Sequence, residues 1–198
     1  MTAESSGLRQ AVLIVALLNL AYFGIEFAIA LSIGSVALFA DSADFFEDAA
    51  VNFLIVAALG WSATRRAQVG MVLSAILLAP ALAFLWTLWQ KFNAPVPPEA
   101  VPLAVTGIGA LVINLVSAFL IASHRHHGGS LAKTAFLSAR NDALANVAII
   151  IAGVVTLYLH SVWPDVIVGF GIAFMNLDAA RAVWTAAREE HRLAKAEA

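Results

Sequence analysis

Asp44 and Asp48 stand one helical turn apart in a stretch, 35–61, that is long and apolar enough to cross a membrane. A charge at mid-bilayer costs about 2.5 to 3.5 kcal/mol on insertion scales, so a chain that carries two of them there has a use for them. Residues four apart on a helix are offset by about 40°, which puts both carboxylates on one face. The same spacing recurs at Ser138, Asp142 and Asn146, in a second apolar stretch. Oxygen groups that converge inside a bilayer are suited to a divalent cation, which neutralises two carboxylates and occupies their lone pairs together. The other use of such groups is hydrogen bonding between helices.

The elements that position these acids are membrane helices. With 62% hydrophobic and 12% charged residues, the composition lies far outside the roughly 45–50% apolar and 25% charged of soluble domains. A net charge of −2 provides no basic surface for nucleic acid. The absence of cysteine leaves only oxygen and imidazole as metal ligands.

Six apolar runs have the length of a span, at 8–33, 35–61, 68–92, 100–123, 131–160 and 163–187. Gly, Pro or charged residues separate most of them. The expected fold is an all-α integral membrane protein of six transmembrane helices: residues 1–187 form the bundle and 188–198 a short charged tail. The first span lacks a basic leader and a cleavage pattern, so it reads as retained. With the N-terminus inside, every lysine and arginine except Lys91 falls on or toward the cytoplasmic side, which places both termini in the cytoplasm. In that orientation Asp48 and Asp142 are level, roughly 16 to 20 Å from the cytoplasmic interface at 1.5 Å per residue.

The run from Ser32 to Asp48, with Gly34-Ser35, apolar residues, Ala40-Asp41, then Asp44 and Asp48, resembles the second span of the cation diffusion facilitators. Asp44 and Asp48 fall on that family's two metal positions. Ser138 to Asp142 is similar to the fifth-span pattern, His or Asp followed four residues later by Asp, and Trp163-Pro164-Asp165 resembles the start of the sixth span. The resemblance implies a transporter, not an enzyme, that exchanges a divalent metal for protons around a mid-membrane site, usually as a homodimer, here in a bacterial inner membrane. It also implies a short form without the family's cytoplasmic C-terminal domain.

No resident cofactor is expected; the metal is substrate. Asp44, Asp48 and Asp142 are the primary ligands, with Ser138, Asn141 and Asn146 as candidates for the remaining place. Ser138 stands where the family usually has His or Asp. An all-oxygen set is harder than one with imidazole, which moves the expectation from Zn²⁺ toward Mn²⁺, Fe²⁺ or Co²⁺, with Cd²⁺ also to be tested. Asp41 and Glu26 are candidates for the ion path or a proton relay. His124, His126 and His127, beside flexible glycine, are candidates for collecting ions on the cytoplasmic side. Glu26 shares a face with Asn19 at i and i+7, and an interhelical hydrogen bond is the plainer reading of it. Two rival functions are a metal-dependent membrane enzyme of the CDP-alcohol phosphotransferase type and a non-transporting metal sensor or partner. The first lacks its Asp-Gly and Ala-Arg elements near the paired aspartates, and metal flux separates the second.

Overall fold

A computed structural model describes residues 3–58, 78–123 and 130–176; within them the side chains of 130–140 and of a few residues near segment ends lie outside the description. The described residues are helical: α1 Ala3–Ile33, α2 Val36–Ala58, α3 Leu78–Asn93, α4 Ala100–Ser123, α5 Ser130–Leu159 and a sixth helix, α6, over 163–176. The helices overlap the six expected apolar runs where both can be compared. The segment before α3, the loop with His124, His126 and His127, and everything after 176, including the expected tail, lie outside the described residues.

Long apolar runs without internal breakers propagate as helices, and the turns fall where the backbone chemistry allows. α1 stops at Gly34, whose φ of 62° is left-handed, and Ser35 N–H closes the end on Ala30 O at 3.2 Å. α5 ends similarly: His160 has φ 50° and its N–H reaches Thr156 O at 2.9 Å.

Three described segments are long and apolar enough to cross a membrane: Arg9–Ile33, Ala100–Ala122 and Asn141–Leu159. α2 is not among them, because it carries Asp41, Asp44, Glu47 and Asp48. Large apolar side chains point outward along the helices, among them Leu82, Trp86 and Trp89 on α3 and Phe119 on α4. Such an exterior suits hydrocarbon and not water, and the protein is an integral membrane protein.

α1, α2, α4 and α5 pack together, with α1 against α2 and α4, and α5 against α4 and α2. Small residues permit the close approaches. A Cβ on Gly109 of α4 would collide with the Tyr22 hydroxyl, and one on Gly153 of α5 would stand 2.8 Å from the backbone nitrogen of Ala104. α3 packs on α2 and meets α6 through Phe84 and Phe170, with ring centroids 6.1 Å apart.

α6 joins the start of α2 through an interhelical cap. Ser35 caps its own helix by accepting Leu38 N–H at 3.1 Å, and it donates to Asp165 Oδ1 at 2.6 Å. Asp165 also accepts Val36 N–H at 2.9 Å and Ala37 N–H at 3.1 Å. Orphan donors at a helix N-terminus, together with its dipole, favour an acid there, and this one comes from another helix. Lys91 of α3 brings its charge near Asp165 and donates to Val96 O. α2, which carries the paired aspartates, is thus fixed at one end to both α3 and α6.

Candidate metal site

Asp41, Asp44 and Asp48 lie along one stripe of α2, set by spacings of three and four. Asp41 is buried at 1% exposure, whereas Asp44 and Asp48 are part-exposed. Asp142 of α5 is also part-exposed, and it is the strongest charge neighbour of Asp44, ahead of Asp48 on its own helix. Asp142 in turn interacts first with the charge of Asp48 and then with that of Asp41. Asp44, Asp48 and Asp142 are therefore electrostatic neighbours across α2 and α5. Among the described residues, no three His, Asp or Glu side chains stand close enough to make a closed ion site in this conformation.

The register of α5 against α2 is fixed one turn away. Asn146, fully buried, donates to Asp41 Oδ2 at 2.8 Å and accepts from Asn114 of α4 at 2.9 Å. One turn further along α2 is Asp44, and one turn back along antiparallel α5 is Asp142. Asn146, a candidate ligand by sequence, is thus engaged by Asp41 and Asn114. Asn141 is exposed. The side chain of Ser138 lies outside the described residues, although its backbone is part of α5.

Glu26 of α1 is fully buried and faces Asp41 closely enough to hydrogen-bond. As two carboxylates neither can donate, and among the described residues both Glu26 oxygens and Asp41 Oδ1 are without a donor. The pair becomes a hydrogen bond when one member carries a proton. Tyr22, one turn from Glu26, donates to Thr106 O of α4 at 2.5 Å and packs its ring 4.9 Å from that of Phe45. Asn19 is buried, and among the described residues neither its amide oxygen nor its nitrogen has a hydrogen-bond partner.

One polar neighbour of these acids was missed from sequence. Asn176 of α6 places its amide beside Asp44, 3.3 Å from Oδ1. The available signal was a lone amide in the apolar run Phe174-Met175-Asn176-Leu177, because a polar group inside a span needs a partner.

The sequence profile of the cation efflux transmembrane domain matches residues 12–188. The chain belongs to the cation efflux family. That match takes in α2, α5 and α6, and with them every acid described above. The chain is also similar to the zinc transporter ZitB of Pectobacterium atrosepticum, with 27% identity over 172 residues, covering 79% of this chain and 52% of the relative. The chain thus spans about half the length of this relative.

Proposed function

We propose that this cation efflux protein carries a divalent metal ion out of the cytoplasm in exchange for protons, through a site built on Asp44, Asp48 and Asp142. The observation that supports it most directly is the electrostatic proximity of Asp142 to Asp44 and Asp48 across two helices of a family transport domain. Zinc is the cargo named for the relative, and the all-oxygen ligand set extends the candidates to Mn²⁺, Fe²⁺, Co²⁺ and Cd²⁺. The proposed frame is six spans in a bacterial inner membrane, with both termini cytoplasmic and two copies forming a dimer.

Ionised Asp44, Asp48 and Asp142 accept the metal from the cytoplasmic side, and the bundle then opens outward. Protons arriving from outside compete for the same oxygens and release the ion. Glu26 and Asp41, facing each other toward the outer end of the site, pass or hold a proton on that route. Moving two charges outward against 100 mV, inside negative, costs about 4.6 kcal/mol, and one returning proton offsets about 2.3 kcal/mol. Coupling to protons therefore removes about half of the electrical cost before any pH gradient acts.

The test is flux. Purified protein in proteoliposomes should accumulate Zn²⁺ or Mn²⁺ when a pH gradient is imposed, and Asp48→Ala should abolish uptake while the protein stays monodisperse. Undiminished uptake by Asp48→Ala would remove the site from the mechanism. Absence of metal uptake by the parent chain under any gradient would remove transport itself.

A further inference from the structure

Asn176 has no apolar packing role that requires an amide, and its position is set by register. α2 and α6 run parallel from a common start, where Asp165 caps α2, and Gly169 brings the helices so close that a Cβ there would stand 2.8 Å from Val36 Cγ1. Further along the same contact, Asn176 arrives beside Ala40 and Asp44.

The amide can lie either way round, and only one way satisfies it when no cation is present. In one, the nitrogen donates to Ala40 O at 3.4 Å and the oxygen faces Asp44 Oδ1 and Ile172 O, which can only accept. In the other, the nitrogen occupies that place and donates to both, each at 3.3 Å. A half-turn about one bond therefore changes what Asn176 presents to Asp44, from a hydrogen-bond donor to a second oxygen.

Two oxygens 3.3 Å apart with no proton between them repel, unless a cation lies against both. Metal–oxygen bonds of about 2.0 to 2.2 Å in a tetrahedral shell set neighbouring oxygens about 3.3 to 3.6 Å apart. The observed separation matches the lower end of that range. An amide oxygen is also the neutral donor that a site with three carboxylates can add without raising its negative charge.

We propose that Asn176 is a ligand of the transported metal beside Asp44, and that its amide turns over between the two states. With the ion absent, the nitrogen holds Asp44 in place; with the ion bound, the oxygen joins the shell and the nitrogen turns to Ala40 O. This rests on the reading of Asp44, Asp48 and Asp142 as the metal site.

The experiment titrates the purified full chain with Zn²⁺ and with Mn²⁺ by calorimetry, comparing the parent with Asn176→Leu, Asn176→Asp and Asp44→Ala. Asn176→Leu keeps the side-chain shape and should weaken both metals at least tenfold. Asn176→Asp adds a charged oxygen, and should tighten Zn²⁺ at least tenfold and release about one more proton per ion. If both Asn176 variants titrate like the parent while Asp44→Ala has lost the metal, the site stands and Asn176 is not a ligand. If Asp44→Ala binds like the parent, the site reading itself fails, and this inference with it. Should Asn176→Leu not fold, Asn176→Asp decides alone, because unchanged affinity and unchanged proton release in that variant refute the ligand role.

Discussion

Asp165→Ala removes the group that joins α6 to the start of α2. The wild-type carboxylate accepts three hydrogen bonds, from Ser35 Oγ at 2.6 Å, Val36 N–H at 2.9 Å and Ala37 N–H at 3.1 Å, and it is fully buried. Hydrogen bonds to a charged acceptor contribute about 1.5 to 3 kcal/mol each, so three set an upper bound near 5 to 9 kcal/mol. Part is recovered when the Ser35 hydroxyl turns to a backbone group, but the Lys91 charge loses its neighbour. The expected net loss is about 3 to 5 kcal/mol, the range for breaking a buried charged contact from one side. For a chain of this size that lowers the thermal midpoint by about 6 to 20 °C. The assay is thermal unfolding in detergent of Asp165→Ala, Ser35→Ala and the double variant. Because both residues serve one cap, the double variant should be less destabilised than the sum of the singles, by at least about 1 kcal/mol. Strict additivity, or a midpoint for Asp165→Ala within 2 °C of the parent by the scaling above, would refute the cap as the joint between the helices.

Gly109→Ala should cost about 1 to 3 kcal/mol, because the new methyl displaces the Tyr22 hydroxyl. Tyr22→Phe, which loses only the bond to Thr106 O, should cost about 1 kcal/mol and relieve part of the Gly109→Ala penalty when combined; full additivity in chemical unfolding would contradict the contact. Metal binding should release protons, since lowering pH protonates the same oxygens that hold the ion. Saturating Zn²⁺ in weakly buffered detergent should release roughly one to two protons per ion at mildly acidic pH, falling to none at alkaline pH, with apparent affinity dropping as pH falls. No release at any pH would separate the ion from the carboxylates.

What was legible in the sequence followed from strong local signals. Gly34, with Ser35 behind it, marked the turn between α1 and α2, because glycine readily takes the left-handed conformation that closes the first helix and a serine hydroxyl caps the second. The depth match of the aspartates came from counting residues in straight helices, and Asp142 feels the charge of Asp48 while Asp44 feels that of Asp142. Pairings across the bundle were harder to read, because helical spacing gives the face of a residue but not its neighbour. Asn146 had the spacing of a ligand, yet Asp41 and Asn114 hold it. Asp165 looked like a helix start and proved to cap another helix, 130 residues away from Ser35 in sequence. Asn176 was overlooked because a single amide carries no periodicity; only the close parallel contact of α6 with α2 gives it meaning.

The charge of the bundle constrains the mechanism more tightly than any one ligand does. Glu26, Asp41, Asp44, Asp48 and Asp142 interact with one another, while among the described residues the side chains that reach them are neutral amides, Asn146 donating to Asp41 and Asn176 lying beside Asp44. Among the described residues the buried lysine, Lys91, stands at the far end of α3 beside Asp165, engaged by Val96 O. Amides align carboxylates but leave their charge in place, and uncompensated charge inside a bilayer is costly. On the proposed reading the compensation comes from the transported species, protons in one state and a metal ion in the other. The arrangement then opposes the state in which the site holds neither, and that is what binds the two fluxes together. In this respect the neutrality of Asn146 and Asn176 matters as much as the negative charge they support.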